Sequence, residues 1–461
     1  MAVAAAAGSS AAAAGRLLLI APHGSYRTVP FMEAAAARGA EVLIASESRH
    51  SLVSAYVRGL HVDFADPDGA LKALVEEARA RPFTTVIGTD DASTELASRA
   101  SAALALRHNP VEAVRLARRK DLARARLAER GVPVPWHRRL DLDRPLAAQI
   151  GDIPYPCVLK PVSLAASRGV IRADDPHALQ TAVARISRIL SGVRDAEERR
   201  YILVEQFIPG FEVAVEGLLT DGQLRVLAIF DKPDPLDGPF FEETCYITPS
   251  RLGGDSQLLL RHTLDSACRA YGLREGPIHA ECRINEHGVW ILEVAARTIG
   301  GLCGRLLRFG TGHSLEQIVL AHALGDVVEA RTQEGGAGVL MIPIPRAGIL
   351  RRVEGVLAAS RVPGIEDVVI DVREGYELVP LPEGSSYLGF IFARAPGPAE
   401  AEAALRAAHA CLNIVVAPLW KGATAGLVAG QSRRCVQRPL HEYPHDFYDF
   451  LTSAPAISTD F

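Results

Sequence analysis

The chain has 461 residues, of which 48% are hydrophobic and 23% are charged, and its formal net charge is −4. A chain of this length is too long for one hydrophobic core, so about two to four packed units are expected. The small net charge provides no electrostatic footprint for nucleic acid or an anionic membrane, and charged residues interrupt every apolar run before it could cross a bilayer. The composition therefore predicts a soluble, cytoplasmic protein that binds neither nucleic acid nor membrane.

The two ends and the cysteines add little chemistry. The opening MAVAAAAGSSAAAAG lacks the positive n-region of a signal peptide and is predicted to be a disordered tail. The seven cysteines are odd in number, scattered and without a CxxC pair, which argues against a disulfide frame or a zinc site. They are expected to be core residues in a reducing cytoplasm.

Residues 16–112 alternate short apolar runs with helical patterns. The runs RLLLIAP, EVLIASES and TTVIGTDD are separated by FMEAAAARG and GALKALVEEARA, a βαβ rhythm that predicts a small parallel sheet. The first run ends in APHGSYR, where a Gly-Ser turn before a helix either binds an anion or simply connects two elements. No GxGxxG pattern is present, so a dinucleotide-binding fingerprint is not supported.

A second region follows a basic helical stretch from Asn109 to Gly131, which the breaker GVPVP ends. After PYPCVLKPV, VIRA and the helix HALQTAVARISRIL, residues 201–230 alternate with period two around an Asp-Gly turn and predict an antiparallel pair. A further hairpin joins PIHAECRI to VWILEVAAR through NEHG, and the helix SLEQIVLAHALG follows. In residues 337–420 the segments AGVLMIPIP, EDVVIDV, LGFIFARA and PAEAEAALRAAHACL predict an α+β module. Residues 421–461 contain no pattern that indicates a chemical function.

Acidic residues lie on the polar faces of the hairpin at 277–297. Glu281 belongs to the polar face of the first strand and Glu293 to that of the second. If the register superimposes these faces, the two carboxylates repel each other strongly unless a cation lies between them. Hard oxygen ligands on rigid strands suit Mg²⁺. The alternative is a solvent-exposed polar face paired with arginines, and the hairpin alone does not decide between the two.

Lysine is scarce, which makes each lysine informative. The chain has five lysines among 50 basic residues, so a lysine is expected where a compact point charge is needed. Lys160 ends an apolar strand and precedes a small-residue loop, residues 163–169. A lysine beside such a loop can meet phosphate oxygens while the loop donates backbone N–H groups. A plain β-turn is the alternative.

The segment VEQFIPGFE has the composition of a base-binding edge. Glu205 lies at a strand end, Phe207 and Ile208 form an apolar step, and Glu212 follows a Pro-Gly turn. An extended segment of this kind can offer backbone groups to adenine, with one carboxylate for the amino group and one for the ribose hydroxyls. Either glutamate alone is equally compatible with an ordinary surface position.

Taken together, these segments resemble the ATP-grasp superfamily over about residues 110–320. Lys120, Lys160, the 163–169 loop, EQFIPGFE, HAE and LEVAAR occur in the order that the superfamily uses, most clearly in KPVSLAASRGV, VEQFIPGFE and IHAECRINEHGVWILEVAARTIGG. Residues 16–112 resemble the pre-ATP-grasp domain, and 337–420 resembles the C-terminal module of L-amino-acid ligases. The implied fold class is α/β and α+β: an N-terminal parallel sheet, a two-lobed ATP-grasp core and a C-terminal α+β module.

The resemblance also implies domain limits and a nucleotide site. The expected units are a tail at 1–15, the pre-ATP-grasp domain at 16–112, the ATP-grasp domain at 113–332 with a flexible small lobe at about 140–208, and the C-terminal module and tail at 333–461. The residues implied to bind ATP are Lys120 and Lys160 (α- and β-phosphates), Ser167 and Gly169 of the 163–169 loop (γ-phosphate), Glu205, Phe207 and Ile208 (adenine) and Glu212 (ribose). Glu281 and Glu293 are implied to hold Mg²⁺, with Mn²⁺ as an alternative.

Substrate and catalytic roles are implied for six further residues. They are Arg297, which would stabilise the acyl phosphate and the tetrahedral intermediate; Gly300 and Gly301, beside the substrate carboxylate; Glu243, with Glu242 as the alternative, for a substrate ammonium; Lys232, for phosphate or carboxylate; and His279, for substrate. A salt bridge to Asp231 or Asp234 is the alternative for Lys232, and a hydrogen-bonded strand residue is the alternative for His279. Ala295 replaces the Asn that often follows the second metal glutamate, so a third protein ligand is missing.

The implied reaction is ATP-dependent amide formation through an acyl phosphate. The partners would be small-molecule carboxylates and amines, amino acids above all, and a homodimer is left open. One alternative keeps the ATP site but activates bicarbonate or transfers formate. A second alternative, motivated by Ala295, is a nucleotide-binding regulatory protein without catalysis. The sequence does not reveal the specificity, because pocket shape depends on loop packing.

Overall fold

The first layer of the fold is a four-stranded parallel sheet with the strand order β3-β2-β1-β4, which confirms the prediction from the βαβ rhythm. The computed structural model describes residues 15–47, 59–308, 312–326 and 334–419, so most of the predicted tail, Cys435 and residues 421–461 lie outside the described residues. The elements of this layer are β1 (Arg16–Ile20), α1 (Thr28–Ala36), β2 (Glu41–Ser46), β3 (Gly59–His61), α2 (Pro67–Ala80), β4 (Thr85–Gly88) and α3 (Asp91–Ala103).

Two helices connect this layer to the rest of the chain. The basic stretch after Asn109 forms α4 (Val111–Arg118) and α5 (Lys120–Glu129), separated by the extended residue Arg119. Lys120 is thereby the first residue of α5, and one turn later Arg124 lies on the same side of that helix.

A small lobe follows, built on an antiparallel sheet with the order β5-β8-β6-β7. The helix predicted from HALQTAVARISRIL packs its apolar stripe on this sheet. The elements of the lobe are β5 (His137–Asp141), β6 (Cys157–Pro161), β7 (Ile171–Ala173), α6 (Pro176–Leu190), α7 (Ala196–Arg200) and β8 (Tyr201–Gln206).

The large sheet has eight strands in the order β13-β12-β9-β10-β11-β14-β18-β16, and both predicted hairpins lie in it. Its strand β9 is buried on both faces: Val213 and Val215 pack toward α5 and α8, whereas Ala214 and Leu218 pack toward α1 and α9. The elements are β9 (Phe211–Thr220), β10 (Gln223–Lys232), β11 (Cys245–Thr248), α8 (Gly254–Tyr271), β12 (Gly276–Asn285), β13 (Gly288–Ala295), α9 (Leu315–Ala323), β14 (Gly336–Ile342), β16 (Ile365–Ile370) and β18 (Gly389–Ala395).

The C-terminal module is continuous with the large sheet, because it supplies three of the eight strands. β14 pairs with β11 over Cys245–Thr248, and β18 and β16 follow. A separate three-stranded sheet has the order β17-β15-β19. The remaining elements are β15 (Gly348–Glu354), α10 (Val356–Ser360), β17 (Glu377–Leu378), α11 (Pro398–Ala410) and β19 (Asn413–Ala417).

Neither a membrane span nor a disulfide occurs in the part of the chain that the structure describes. Within 15–47, 59–308, 312–326 and 334–419, no helix combines the length and the apolar character needed to cross a bilayer. The six described cysteines are unpaired thiols, five of them buried, as expected of core residues.

Candidate active site

The predicted site residues converge on one large cavity, of ≈ 1920 Å³, between the N-terminal layer, the small lobe, the large sheet and the C-terminal module. Fourteen of the sixteen candidate residues line it; Lys232 and Gly169 do not reach its surface. Sequence positions more than 180 residues apart therefore meet in a single space. Only the tertiary structure brings them together.

Glu281 and Glu293 are direct cross-strand partners in the β12–β13 ladder, so their side chains leave the sheet on the same face. A bulge follows Glu281. Each carboxylate has a lysine nearby: Lys120 Nζ lies 3.1 Å from Glu293 Oε2, and Lys232 Nζ lies 3.7 Å from Glu281 Oε2. The predicted register is thus present, with two hard-oxygen groups facing the cavity beside two point charges.

Lys120 also ties the metal-ligand candidates to the small lobe. Its ammonium donates a hydrogen bond to the Leu164 carbonyl at 2.9 Å, and its backbone N–H donates to the Val162 carbonyl at 2.9 Å. The first residue of α5 therefore bridges the β13 carboxylate Glu293 and the start of the predicted phosphate loop.

Lys160 is held by a buried carboxylate. Its ammonium lies 2.6 Å from Glu205 Oε2, and the other carboxylate oxygen of Glu205 pairs with the Arg124 guanidinium. Burial alone would raise the pKa of Glu205, but Arg124 and Lys160 outweigh it and lower that pKa to about 2. Arg124 also donates to the Ile291 and Leu292 carbonyls of β13, at 2.7 and 2.9 Å. Arg124 was not among the site residues predicted from the sequence; its i,i+4 spacing from Lys120 on a helix could have indicated it.

The 163–169 loop has an unusual backbone. Ala166 and Ser167 both have positive φ, at 54° and 53°, and Gly169 has φ 73°. A Cβ on Gly169 would lie 2.7 Å from Pro161 Cγ, so this position requires glycine. Among the described residues, none accepts a hydrogen bond from the amides of Ala165, Ala166 or Ser167, and these three residues line the cavity. A run of such amides is the kind of nest that binds anions.

The adenine-edge candidates are partly engaged within the protein. The Phe207 amide donates to the Pro156 carbonyl at 3.0 Å, and the Ile208 carbonyl accepts from Arg283 Nη1 at 2.6 Å. Within the described residues, the Phe207 carbonyl and the Ile208 amide are left for an outside partner. The Arg283 guanidinium also lies 5.1 Å from the centre of the Phe207 ring, so Arg283 holds both residues of the adenine-binding candidate segment in place. Arg283 was not among the site residues predicted from the sequence.

Lys232 is buried among three carboxylates. Its Nζ lies 2.8 Å from Glu212 Oε1, 2.5 Å from Glu243 Oε1 and 3.7 Å from Glu281 Oε2. The oxygens of these three glutamates are close enough to hold a metal ion, but here the lysine ammonium is the cation among them. The alternative partners do not contact Lys232: Asp231 binds Ser250 and Arg251, and Asp234 binds Thr244 and Arg406.

Both ends of this cluster have further partners. Arg283 Nε donates to Glu212 Oε2 at 2.8 Å, and the Tyr246 hydroxyl donates to Glu243 Oε2 at 2.8 Å. Burial, opposed by Lys232 and reinforced by Glu281, raises the pKa of Glu243 to about 7. Glu212, the ribose candidate, thus already binds two cations. Glu243, rather than Glu242, is the carboxylate that lines the cavity.

His279 contacts two carboxylates. Its Nδ1 lies 2.6 Å from Glu216 Oε1 and its Nε2 lies 3.6 Å from Glu281 Oε1. Burial lowers the pKa of His279, but the interactions with both glutamates outweigh that effect and raise the pKa from its ordinary 6.5 to about 9. The imidazole is therefore charged at neutral pH. His279 is therefore both a hydrogen-bonded strand residue and a neighbour of the predicted metal ligand. Its ladder partner is Ala295.

The N-terminal layer holds the loop that carries Arg297. Arg297 Nε donates to Asp91 Oδ2 at 2.9 Å and its Nη1 donates to the Thr298 carbonyl at 2.9 Å. The Gly301 amide donates to the Tyr26 hydroxyl at 2.7 Å, and Arg27 donates to the Ile299 carbonyl at 3.0 Å. The backbone at Gly301 is thus engaged by protein.

Three residues of the N-terminal layer that contact the Arg297 loop were not among the site residues predicted from the sequence. Tyr26 and Arg27 follow β1, and Asp91 follows β4, so all three lie at carboxyl ends of parallel strands. Ligand sites of open α/β sheets collect at such ends, which is the signal that could have identified these residues.

Three protein families match successive parts of the chain. The ATP-grasp N-terminal domain matches residues 32–107, the ATP-grasp domain matches residues 153–305, and the L-amino acid ligase C-terminal domain 2 matches residues 340–417. The order is the one that the sequence resemblance implies.

Individual proteins agree with these matches. The crystal structure of L-amino acid ligase from Bacillus licheniformis superimposes with a TM-score of 0.74 at 26% identity, covering 88% of this chain and 100% of that chain. Alanine–anticapsin ligase from Bacillus subtilis is 27% identical over 213 residues, covering 43% of this chain and 44% of that protein. Dapdiamide A synthase from Enterobacter agglomerans is 26% identical over 287 residues, covering 59% and 64%. The chain thus spans about half to two thirds of the length of these curated relatives. The chain thus carries the N-terminal and core domains of the ATP-grasp type and a C-terminal domain of the L-amino acid ligase type.

Proposed function

We propose that this protein is an ATP-dependent carboxylate-amine ligase that forms an amide from amino acids through an acyl phosphate. The observation that carries the proposal is the direct pairing of Glu281 with Glu293 in the β12–β13 ladder, opposite Lys120. Two carboxylates and lysine ammonium groups around one cavity suit a metal-bound polyphosphate better than a neutral ligand.

Glu281 and Glu293 are the residues that would hold Mg²⁺, with Mn²⁺ as a substitute. They fit a hard cation because both are carboxylates on rigid strands and face the same cavity. The ion would neutralise charge on the phosphates during transfer. With alanine at position 295, water would take the place of a third protein ligand.

We assign the nucleotide to the cavity between the small lobe and the large sheet. Lys120 and Lys160 would bind the α- and β-phosphates, and the amides of Ala165 to Ser167 would close over the γ-phosphate. The Phe207 carbonyl and the Ile208 amide would meet adenine. Glu205 would then act mainly by orienting Lys160, and Glu212 would reach the ribose only by sharing its bonds to Lys232 and Arg283.

The first step would be attack of a substrate carboxylate oxygen on the γ-phosphorus, with release of ADP. Lys232 lies behind the Glu243 and Glu281 carboxylates, where it offsets charge near the reacting groups. A neutral amine would then attack the acyl carbonyl carbon; the C–O bond to phosphate breaks as the C–N bond forms, and the departing phosphate takes up the proton that the amine loses. Burial lowers the pKa of Arg297, but Asp91 and Glu293 outweigh that effect and raise the pKa above its ordinary value, so the guanidinium stays charged. Arg297, held in place by Asp91, would stabilise the oxyanion.

Amino acids are the proposed substrates for two reasons. Glu243 offers a carboxylate in the cavity to a substrate ammonium, and the Tyr246 hydroxyl orients it. The named relatives include an L-amino acid ligase and an alanine–anticapsin ligase. Specificity within that class is left to experiment.

The deciding experiment is a matrix of amino acid pairs with ATP and Mg²⁺, read as released phosphate and ADP. We expect phosphate release that requires an amino acid and stops in Glu293→Gln. Release that needs bicarbonate, or formate with a ribonucleotide, would instead identify a carboxylase or formate-transfer ligase. ATP binding with no ADP formed over the whole panel would identify a regulatory nucleotide-binding protein.

A further inference from the structure

The C-terminal module is hydrogen-bonded to the 163–169 loop of the small lobe. Between β17 and β18 the chain extends to the 163–169 loop, where the Gly169 amide donates to the Pro382 carbonyl at 2.9 Å. Arg168 Nε donates to the Glu383 carbonyl at 3.0 Å. Two consecutive loop residues are thus attached to two consecutive residues more than 200 positions later.

The Glu383 side chain makes a second attachment to the same lobe. Arg185 of α6 donates through Nε to Glu383 Oε1 at 2.6 Å and through Nη2 to Oε2 at 2.8 Å. Such a two-point pair fixes the direction of the carboxylate as well as its distance. Because α6 packs on the small-lobe sheet, Glu383 is anchored to a rigid element while its carbonyl holds the loop.

These attachments leave the ligand-facing part of the loop available. The Arg168 amide donates to the Ala165 carbonyl within the loop, and the Gly169 amide donates to the Pro382 carbonyl of the C-terminal module. Ala165 to Ser167 line the cavity, as do Val379 and Glu383. The segment at 379–384 therefore forms part of the wall of the same cavity and supports the back of the loop.

We infer that Glu383 is a positioning residue of the phosphate-transfer step, so that the C-terminal module holds the 163–169 loop closed over the γ-phosphate. This inference rests on the proposed function for its kinetic consequence, but its structural consequence is measurable without any substrate. Glu383 acts through Arg185 and through the side chain of Arg168, which donates to the Glu383 carbonyl; it is not assigned a contact with ATP.

The test compares Glu383→Arg, Arg185→Glu and the double charge swap with the wild-type chain. Glu383→Arg places a cation beside Arg185, so we expect amide hydrogen exchange at residues 163–170 to quicken, by roughly two- to fivefold for an exposed ion pair. With an active amino acid pair, kcat/KM for ATP should fall by a similar factor. The double swap restores an ion pair and should recover most of both effects.

Glu354→Arg is the matched control. Glu354 belongs to the same module, its side chain is 43% exposed like that of Glu383, and it pairs with Arg352 at 2.6 Å, away from the small lobe. This variant should leave exchange at 163–170 and kcat/KM for ATP unchanged.

The outcomes separate the inference from the proposed function. Unchanged exchange at 163–170 in Glu383→Arg, or an equal change in Glu354→Arg, would overturn the inference whatever the activity. Faster exchange without any loss of kcat/KM for ATP would also overturn it, since the loop would then be held for no catalytic purpose. If the wild-type chain releases no phosphate with any amino acid pair, the proposed function fails, and faster exchange reversed by the double swap still supports the contact with the C-terminal module.

Discussion

Arg124→Met tests the buried charge network beneath the nucleotide site. The side chains of Arg124 and Glu205 are each 3% exposed, and the guanidinium also satisfies two carbonyls of β13. Methionine keeps the length of the apolar stem but leaves Glu205 with Lys160 as its remaining cationic partner. Removing one member of a buried ion pair typically costs about 3–5 kcal/mol, because the other charge stays in a low-dielectric site. We expect a loss of unfolding free energy of that size at pH 7.

The pH dependence of this loss follows from the pKa of Glu205. In the folded chain that pKa is about 2, below its ordinary value of 4.5, so the ionised carboxylate stabilises the fold above pH 4.5 and this stabilisation disappears as the pH falls toward 2. The lowering of this pKa from 4.5 to about 2 corresponds to roughly 3 kcal/mol. The deficit of Arg124→Met should therefore shrink when the pH is lowered from 7 to below 4.

Urea unfolding at pH 7 and at pH 3.5, followed by circular dichroism, measures both quantities. The control is Arg126→Met on the same helix, whose partner Glu129 is 65% exposed and whose removal should cost less than about 1 kcal/mol. Adding Glu205→Gln to Arg124→Met removes the orphaned charge and should restore part of the stability. The reasoning is refuted if Arg124→Met and Arg126→Met unfold alike at pH 7, or if the deficit of Arg124→Met is the same at both pH values.

Three further predictions concern the proposed active site. Glu293→Gln should abolish ADP formation while the melting temperature changes little, because the ion pair with Lys120 is partly exposed and contributes about 1 kcal/mol or less. A large drop in melting temperature would instead identify a structural carboxylate. His279→Gln should flatten the dependence of stability on pH between 6.5 and 9. The pKa of His279 is raised to about 9, so its stabilising charge is present below pH 6.5 and is lost as the pH rises through 9. An unchanged pH profile of stability would contradict the ion pair with Glu216. Gly169→Ala should cost at least about 1–2 kcal/mol of unfolding free energy for its positive φ, plus the cost of a clash with Pro161, and should weaken ATP binding. The control Gly131→Ala has nearly the same φ with nothing within 4 Å, so it should cost only the backbone strain. Equal losses of stability in the two variants would show that the Pro161 contact is unimportant.

The sequence by itself determined the local elements and the order of the ATP-site segments. Period-two alternation around the Asp-Gly and Asn-Glu-His-Gly turns fixed both hairpins, and strand parity then placed Glu281 and Glu293 on matching faces. The small-residue loop after Lys160 and the scarcity of lysine indicated a phosphate site. The inferences about the hairpins succeed because they depend on neighbours within a few residues and on a register that two adjacent strands specify, whereas the phosphate site stays a prediction.

Tertiary structure alone decided which charges meet. Arg124, Asp91 and Arg283 have their ion-pair partners about 70–210 positions away, so no local pattern shows which charge each of them meets. The same holds for Glu383, which reaches the loop only because β14, β18 and β16 extend the large sheet and bring the C-terminal module against the small lobe. The burial and charge of such distant partners set the pKa values of Glu205, Glu243 and His279, and those quantities exist only once the sheets have packed.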